Sequence, residues 1–435
     1  MLSNEEEKLD KYNQGLGQLA LQEEQLDQAI EAGFRKARNE KKRGVRKKWW
    51  SSAAMIAALF LIFFTSIRVS PAFASYIAEI PGMEKIVELI RHDKGMMTAI
   101  EHDYYEPIGV SEKKNGIEIV IDGAIVDENG LVLFYTLNSD EKQKELIMEE
   151  VFLKNWEGEE VEYGMSFFGN AHYSDKGEKT FNGTMEYFFV DEPLTDRELE
   201  IEVKLKGETY SLPFTLKGEI KEKKTFGINK TVTIEGQKID FIEATVYPLR
   251  VAVHVKADPN NNKKLLAFED IRLVDENGEV WSKIQNGFTT SSISDHEWIF
   301  YLQSNYFNEP EEMYLAFSKI QALDKENSAL VVDTEKGEII NQPKGNKLRD
   351  LEISGREIRL NLYTEKEFPY GLFNEVFDGE GKKIDTDSTF WRGYSEGYAM
   401  MGVEISNLKS YPNPITFELS AFPEWIQGEE KIRIK

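Results

Sequence analysis

Residues 117–137 read IEIVIDGAIVDENGLVLFYTL. Ile117, Ile119 and Ile121 alternate with Glu118, Val120 and Asp122, which is the period of two expected of a strand with one buried face. Asp127-Glu-Asn-Gly130 is turn chemistry, and Leu131–Leu137 forms the second arm of a hairpin. Working outward, strand-like runs recur at Glu150–Leu153, Glu160–Phe168, Met185–Val190, Leu199–Leu205 and Glu208–Leu216, with no helical period between them. Short strands at this spacing predict an antiparallel β-sandwich over residues 108–220.

The pattern then repeats. Phe226–Phe241, Ile242–Val255, Ile271–Val274 with Glu279–Ser282, Trp298–Leu302 and Met313–Ile320 echo the first order of strands. A weaker third round runs through Ile358–Leu362, Gly371–Phe377, Tyr398–Ile405 and Ile415–Ala421. Three tandem β modules are therefore expected, at 108–220, 221–333 and 334–435. The charged run Lys217–Lys224 and the Gly/Pro-bearing run Thr334–Asn346 read as their linkers. The pentapeptide Val-Asp-Glu-Asn-Gly occurs at 126–130 and again at 274–278, and a hairpin turn with Asn-Gly supplying a positive φ explains both copies.

Towards the N-terminus the character changes. Trp49–Ile67, WWSSAAMIAALFLIFFTSI, holds no charge over nineteen residues. At about 1.5 Å rise per residue, that length approaches the roughly 30 Å of a bilayer core. Trp49, Trp50, Leu59, Phe60 and Ile67 mark a predicted transmembrane helix within 49–68, since a lipid-embedded backbone must satisfy its own polar groups. Residues 35–48 hold nine Lys or Arg against Glu40 alone, and Arg43, Arg46, Lys47 and Lys48 abut the apolar run. The positive-inside bias then keeps residues 1–48 in the cytoplasm and exports the rest, a single span with the C-terminus outside the cell. The competing reading is a cleaved signal peptide ending at Ala72-Phe73-Ala74, against which stand the 48-residue leader and the length of the run.

Residues 1–48 read as a basic helical segment in which Leu16, Leu19, Leu26, Ile30 and Phe34 fall near one face, a candidate docking stripe for a cytoplasmic partner. Residues 69–107 read as a helical neck. Pro81 opens a helix, Met83, Ile86, Val87 and Ile90 make its apolar stripe, and Gly95 ends it.

The net charge of −24 is unevenly spread, with residues 69–435 carrying −27. Such a surface repels nucleic acid and anionic lipid. With no cysteine there are no disulfides, thiol nucleophiles or Cys-ligated zinc. The five histidines, His92, His102, His172, His254 and His296, never fall at metal-ligand spacing, and His102-Asp103 reads as a surface loop. No nucleophile elbow, P-loop or dinucleotide fingerprint occurs, so neither an enzyme nor a cofactor is expected.

Ile67-Arg-Val-Ser-Pro-Ala-Phe-Ala-Ser-Tyr-Ile, Ile80-Pro-Gly-Met-Glu-Lys-Ile-Val-Glu-Leu-Ile, Asp93-Lys-Gly, Tyr105-Glu-Pro-Ile-Gly-Val and Asp127-Glu-Asn-Gly-Leu-Val-Leu-Phe-Tyr-Thr resemble the DUF4179 family, membrane-anchored proteins of Bacillus-like bacteria. The part after Lys217 more loosely resembles the immunoglobulin-like DUF5643 domain that often follows in such proteins. The resemblance implies an anti-sigma-factor-like regulator whose residues 1–48 bind a sigma factor of the extracytoplasmic-function type, while the exported modules meet a cell-wall or other extracellular ligand. A structural or adhesive surface protein is the alternative expectation.

Overall fold

The computed structural model describes residues 83–169, 171–189, 193–282 and 290–435. They form a mainly β body of antiparallel sheets preceded by two short helices. Among the described residues no helix is long and apolar enough to cross a membrane. The expected span at Trp49–Ile67, the basic residues Arg43, Arg46, Lys47 and Lys48, and the stripe Leu16, Leu19, Leu26, Ile30 and Phe34 lie outside the described residues.

Helix α1 (Met83–Ile90) buries Met83, Ile86 and Ile90, as its periodicity predicts. Gly95, expected to stop a single helix, lies instead in the first turn of a second one, α2 (Lys94–Glu101), which Asp93 caps by accepting the Met96 N–H at 2.9 Å. The glycine answers a packing demand there. A Cβ on Gly95 would come within 2.6 Å of the Ser304 backbone nitrogen.

The first module holds β1 (Glu106–Lys114), β2 (Ile117–Asp127), β3 (Gly130–Asn155), β4 (Met165–Phe168), β5 (Ala171–Phe188), β6 (Glu198–Leu205) and β7 (Glu208–Thr215). The pairing order is β1-β2-β3-β5-β4, with β6 on the far half of β3 and β7 on β6. The runs at Leu131–Leu137 and Glu150–Leu153, which look like separate strands, are two ends of β3, a strand of 26 residues. Its polar middle pairs with β5 as an exposed ribbon, and beyond Ile147 it turns to pair with β6. The sheet thus curls round one core, in which Ile119, Ile121, Leu133, Tyr135, Ile201 and Leu212 are fully buried. The free edges of β1 and β7 are tied by side chains: Glu112 accepts the Ser211 N–H at 2.7 Å, and the Tyr210 hydroxyl donates to the Lys114 carbonyl at 3.2 Å.

The second module follows with β8 (Lys224–Ile234), β9 (Gln237–Val246), β10 (Arg250–Ala257), β11 (Lys263–Phe268), β12 (Arg272–Asp275), β13 (Val280–Trp281), β14 (Thr290–Ser294), β15 (Glu297–Gln303) and β16 (Met313–Asp324). One sheet runs β14-β15-β10-β9-β8 and the other β11-β16-β12-β13, and both feed a core built on Phe241, Phe268, Trp281 and Phe317.

The third module comprises β17 (Ala329–Asp333), β18 (Glu338–Asn341), β19 (Leu348–Ser354), β20 (Glu357–Tyr363), β21 (Phe373–Phe377), β22 (Lys383–Ile384), β23 (Ser388–Ser395), β24 (Tyr398–Glu404) and β25 (Ile415–Leu419). Its sheets are β18-β17-β25-β21-β22 and β19-β20-β24-β23. The run Thr334–Asn346, read from sequence as a linker, contains β18. The last strand, β26 (Trp425–Arg433), is not in this module. It pairs with β16, matching Leu315 to Ile432 and Ile320 to Ile426, and it places Ile426, Ile432 and Ile434 in the second module's core. The third module is thus inserted into the second, where the sequence suggests a plain tandem. Trp425, at the start of β26, still packs against the third module's core beside Phe368, while Ile426 and Ile432 cover the second module along the edge of β16.

Candidate functional site

The two most heavily buried charged side chains in the described residues, Asp127 and Arg250, lie where the first two modules meet. Arg250, at the start of β10, is 2% exposed. Its guanidinium carbon is 4.0 Å from the Phe188 ring centroid and 4.9 Å from that of Tyr301. Nε donates to the Asn129 side-chain oxygen at 2.9 Å, and Nη2 donates to the Asn129 backbone carbonyl. The preceding Leu249 N–H donates to Asp127 Oδ2 at 2.8 Å, while Asp127 Oδ1 accepts the Asn129 N–H at 2.8 Å. Planar, weakly hydrated guanidinium suits this slot between rings, where an ammonium would not.

Burial pushes the Arg250 pKa down to about 10, opposed by the Asp127 carboxylate. Burial pushes Asp127 up, opposed by Arg250 and by the N–H groups it accepts. The two charges are each other's compensation across the joint. One donor is left over: Arg250 Nη1 has no hydrogen-bond partner. A cavity of about 10 Å³ is bordered here by Asp93, Met96, Glu186, Leu249 and Arg250. That is about the room one water needs.

The helix pair fills the other side of the joint. Met83, Ile86, Ile90, Met96, Ala99 and Ile100 pack on Ile125, Val132 and Phe134 of the first module, and Leu249 of the second joins the same cluster. Lys94 lies 4.0 Å over the buried Trp281 ring and pairs with Glu279. Burial lowers the Lys94 pKa, and its bond to Glu279 opposes the shift. Gln303 donates to the His92 carbonyl at 3.0 Å. His102, expected in a surface loop, is exposed at the end of α2, and its ring stacks on Phe307 at 5.3 Å. Helix α2 thus touches both modules, where the sequence suggests a spacer leading up to them.

Elsewhere the polar chemistry is structural. His254 Nε2 sits 2.7 Å from Glu297, which Lys256 also pairs at 3.2 Å, across the outer face of one sheet. His172 bonds the buried Tyr135 hydroxyl at 2.8 Å. Among the described residues no three His, Asp or Glu side chains converge into a metal-holding group.

Both halves of the joint lie in recognisable segments. Residues 44–139 match the family model described as "Domain of unknown function (DUF4179)", and residues 223–341 match "Family of unknown function (DUF5643)". The chain carries a DUF4179 segment followed by a DUF5643 segment. Asp127, Asn129 and Lys94 belong to the DUF4179 segment; Leu249, Arg250, Glu279 and Trp281 belong to the DUF5643 segment. The joint is therefore where the two segments grip each other. The DUF4179 match ends at Ser139, in the middle of β3, so the first module runs well beyond it. Among solved structures, "The crystal structure of the conserved domain protein from Bacillus anthracis" is similar at 14% identity and a TM-score of 0.38, covering 55% of this chain and 84% of that one. No curated protein matches the chain.

None of the joint residues stands out in the sequence as a site. Arg250 sits in the apolar run PLRVAVHV, where a lone cation reads as an edge residue, and Asp127 sits in turn chemistry normally exposed to water. The one signal available was the repetition of Val-Asp-Glu-Asn-Gly.

Proposed function

We propose that this chain is a single-pass membrane regulator, anti-sigma-factor-like, with its N-terminus in the cytoplasm and the β modules outside the cell. The observation that carries the reading is the abrupt change at residue 48, from nine Lys or Arg in fourteen residues to nineteen residues without charge, followed by an acidic body. The DUF4179 segment begins at residue 44 and runs across that boundary. On this reading the stripe Leu16, Leu19, Leu26, Ile30 and Phe34 holds an extracytoplasmic-function sigma factor, with the apolar face buried on binding. The β modules act as immunoglobulin-like contact domains for a cell-wall or extracellular ligand. No catalytic step is assigned to them.

Two measurements on the full-length chain test this. Protease added to intact cells should remove the β modules and spare residues 1–48. Purification from membranes should bring down a sigma factor, and Leu19→Glu with Ile30→Glu should abolish its capture without altering the topology. If the modules resist protease in intact cells yet are cut in lysed cells, the topology fails. If no sigma factor is captured although the topology holds, the structural or adhesive role stands in its place.

A further inference from the structure

We infer that helix α2 is a coupling element, ordered by the docking of the first two modules on each other and released when they part. The inference concerns the joint alone and needs nothing from the membrane reading.

The helices are eight residues each. Isolated helices shorter than about 12–15 residues are marginal in water, so their order must come from what they touch. For α2 those contacts come from two modules. Its apolar side lies on Ile125, Val132 and Phe134 of the first. Its other side meets the second at four points: Lys94 on Trp281 and Glu279, the His92 carbonyl on Gln303, Gly95 against the Ser304 backbone, and His102 on Phe307. Helix α1, by contrast, lies against the first module through Met83, Ile86 and Ile90. Arg250 bonds to no residue of α2, yet it holds together the two surfaces that α2 lies between. Any event that separates Arg250 from Asn129 therefore withdraws half of α2's supports at once. Linkage makes the coupling mutual: the free energy by which the Arg250 contact favours an ordered α2 is the free energy by which an ordered α2 favours that contact.

Amide hydrogen exchange on the full chain in detergent micelles reads this directly, because it resolves local opening. Three variants are compared with the parent: Arg250→Gln, Gly95→Ala and the double substitution. Alanine normally strengthens a helix relative to glycine. Here its Cβ would meet Ser304, so the sign of the effect reports how tightly α2 is wedged. The expected result is exchange about tenfold or more faster at both 92–104 and 127–130 in each single variant, with the double variant close to the worse single one. Exchange within the third module's core, at 358–362 and 399–403, should not change. If Arg250→Gln speeds exchange there too, it has unfolded more than the joint. Asn129→Ala, which removes one acceptor from Arg250 and leaves its charge in place, then replaces it. The inference is overturned if each substitution acts only on its own side, if Gly95→Ala slows exchange across 94–101, or if the two effects simply add.

Discussion

Val126–Gly130 and Val274–Gly278 are the same five residues and do opposite things. The second copy closes on itself. Asp275 Oδ1 accepts the N–H groups of Asn277 at 2.9 Å and Glu279 at 2.6 Å, and Gly278 sits at φ +80° with open space where a Cβ would be. The first copy is tighter. Asp127 pairs directly with Gly130, so only Glu128 and Asn129 form the loop, and none of its residues has a positive φ, contrary to the expectation that Asn-Gly supplies one in both copies. The difference lies in the residue that follows. After Gly130 comes Leu131, fully buried opposite Val126; after Gly278 comes Glu279, which cannot take a core position and is absorbed into the loop, so that Val274 pairs with Val280. Because side chains alternate faces, the apolar neighbour sets the register and the register sets the turn. The tight turn leaves Asp127 Oδ2 and the Asn129 side chain pointing outward, and the second module takes both.

The largest test removes the partner that only the first copy has. Arg250→Met keeps the volume and strands Asp127 without its counter-charge. Asp127 and Arg250 act on each other through space and through Asn129 rather than by a direct bond, so the cost should be about 3 kcal/mol, the low end of what removing one member of a buried pair costs, seen as a lower first transition in calorimetry of the full chain. The matching change at the second copy, Glu279→Gln, removes only the partly exposed partner of Lys94 and should cost less than about 1 kcal/mol. Equal effects would mean that the two turns do equivalent work.

The joint should also respond to pH. Asp93, at the edge of the cavity beside Arg250, has its carboxyl pushed up by burial to about 6, against the N–H groups of Met96 and Gly95. A carboxyl that holds its proton more tightly when folded penalises the folded state as pH rises from about 4 to about 6, and fully above that. Stability from this group therefore increases on acidification through that window, and the buried Asp127 shifts in the same direction. Asn can still cap α2, so at this half-buried site Asp93→Asn should raise stability at pH 7.5 by about 1–2 kcal/mol, less than the full shift would give at roughly 1.4 kcal/mol per unit. It should also flatten the slope between pH 4 and 6. A slope unchanged by the substitution would remove Asp93 from the account.

Much of the fold was legible because its strands alternate. Ile117–Asp127 and Leu131–Leu137 form the hairpin their pattern predicts, and the rounds of alternating runs fall in antiparallel sheets of a mainly β body. What escaped was whatever depends on partners distant in sequence. Ser139–Glu145 is polar on both faces, so nothing local marks it as the middle of one long strand. β26 carries charges through its centre, and its two isoleucines, Ile426 and Ile432, acquire meaning only against β16, about 110 residues earlier. Gly95 has the look of a helix stop because the local pattern cannot reveal Ser304 pressing on it. The joint was illegible for the same reason. Asp127 and Arg250 are locally ordinary, and an identical pentapeptide yields a buried clasp in one place and an exposed turn in another. The candidate partner stripe at Leu16–Phe34 lies outside the described residues.

The smallest test isolates the turns themselves. Gly278 at φ +80° has empty space around its missing Cβ, so Gly278→Ala should cost about 1 kcal/mol of backbone strain and nothing in contacts. Its effect should stay within the second module and leave exchange at 92–104 unchanged. Gly130 has no such backbone demand. A Cβ there would stand 3.2 Å from the Leu249 Cδ1 methyl and 3.5 Å from Arg250 Nη2. Gly130→Ala should therefore cost the first module less than about 1 kcal/mol, since a leucine methyl can rotate aside. Because that leucine belongs to the second module and lies in the helix cluster, the disturbance should appear at the joint and in α2. Two glycine-to-alanine changes at the same position of the same pentapeptide would then separate strain inside a turn from pressure across an interface. A joint left untouched by Gly130→Ala, with strain confined to β2 and β3, would mean that the tight turn contributes to docking only through Asp127 and Asn129.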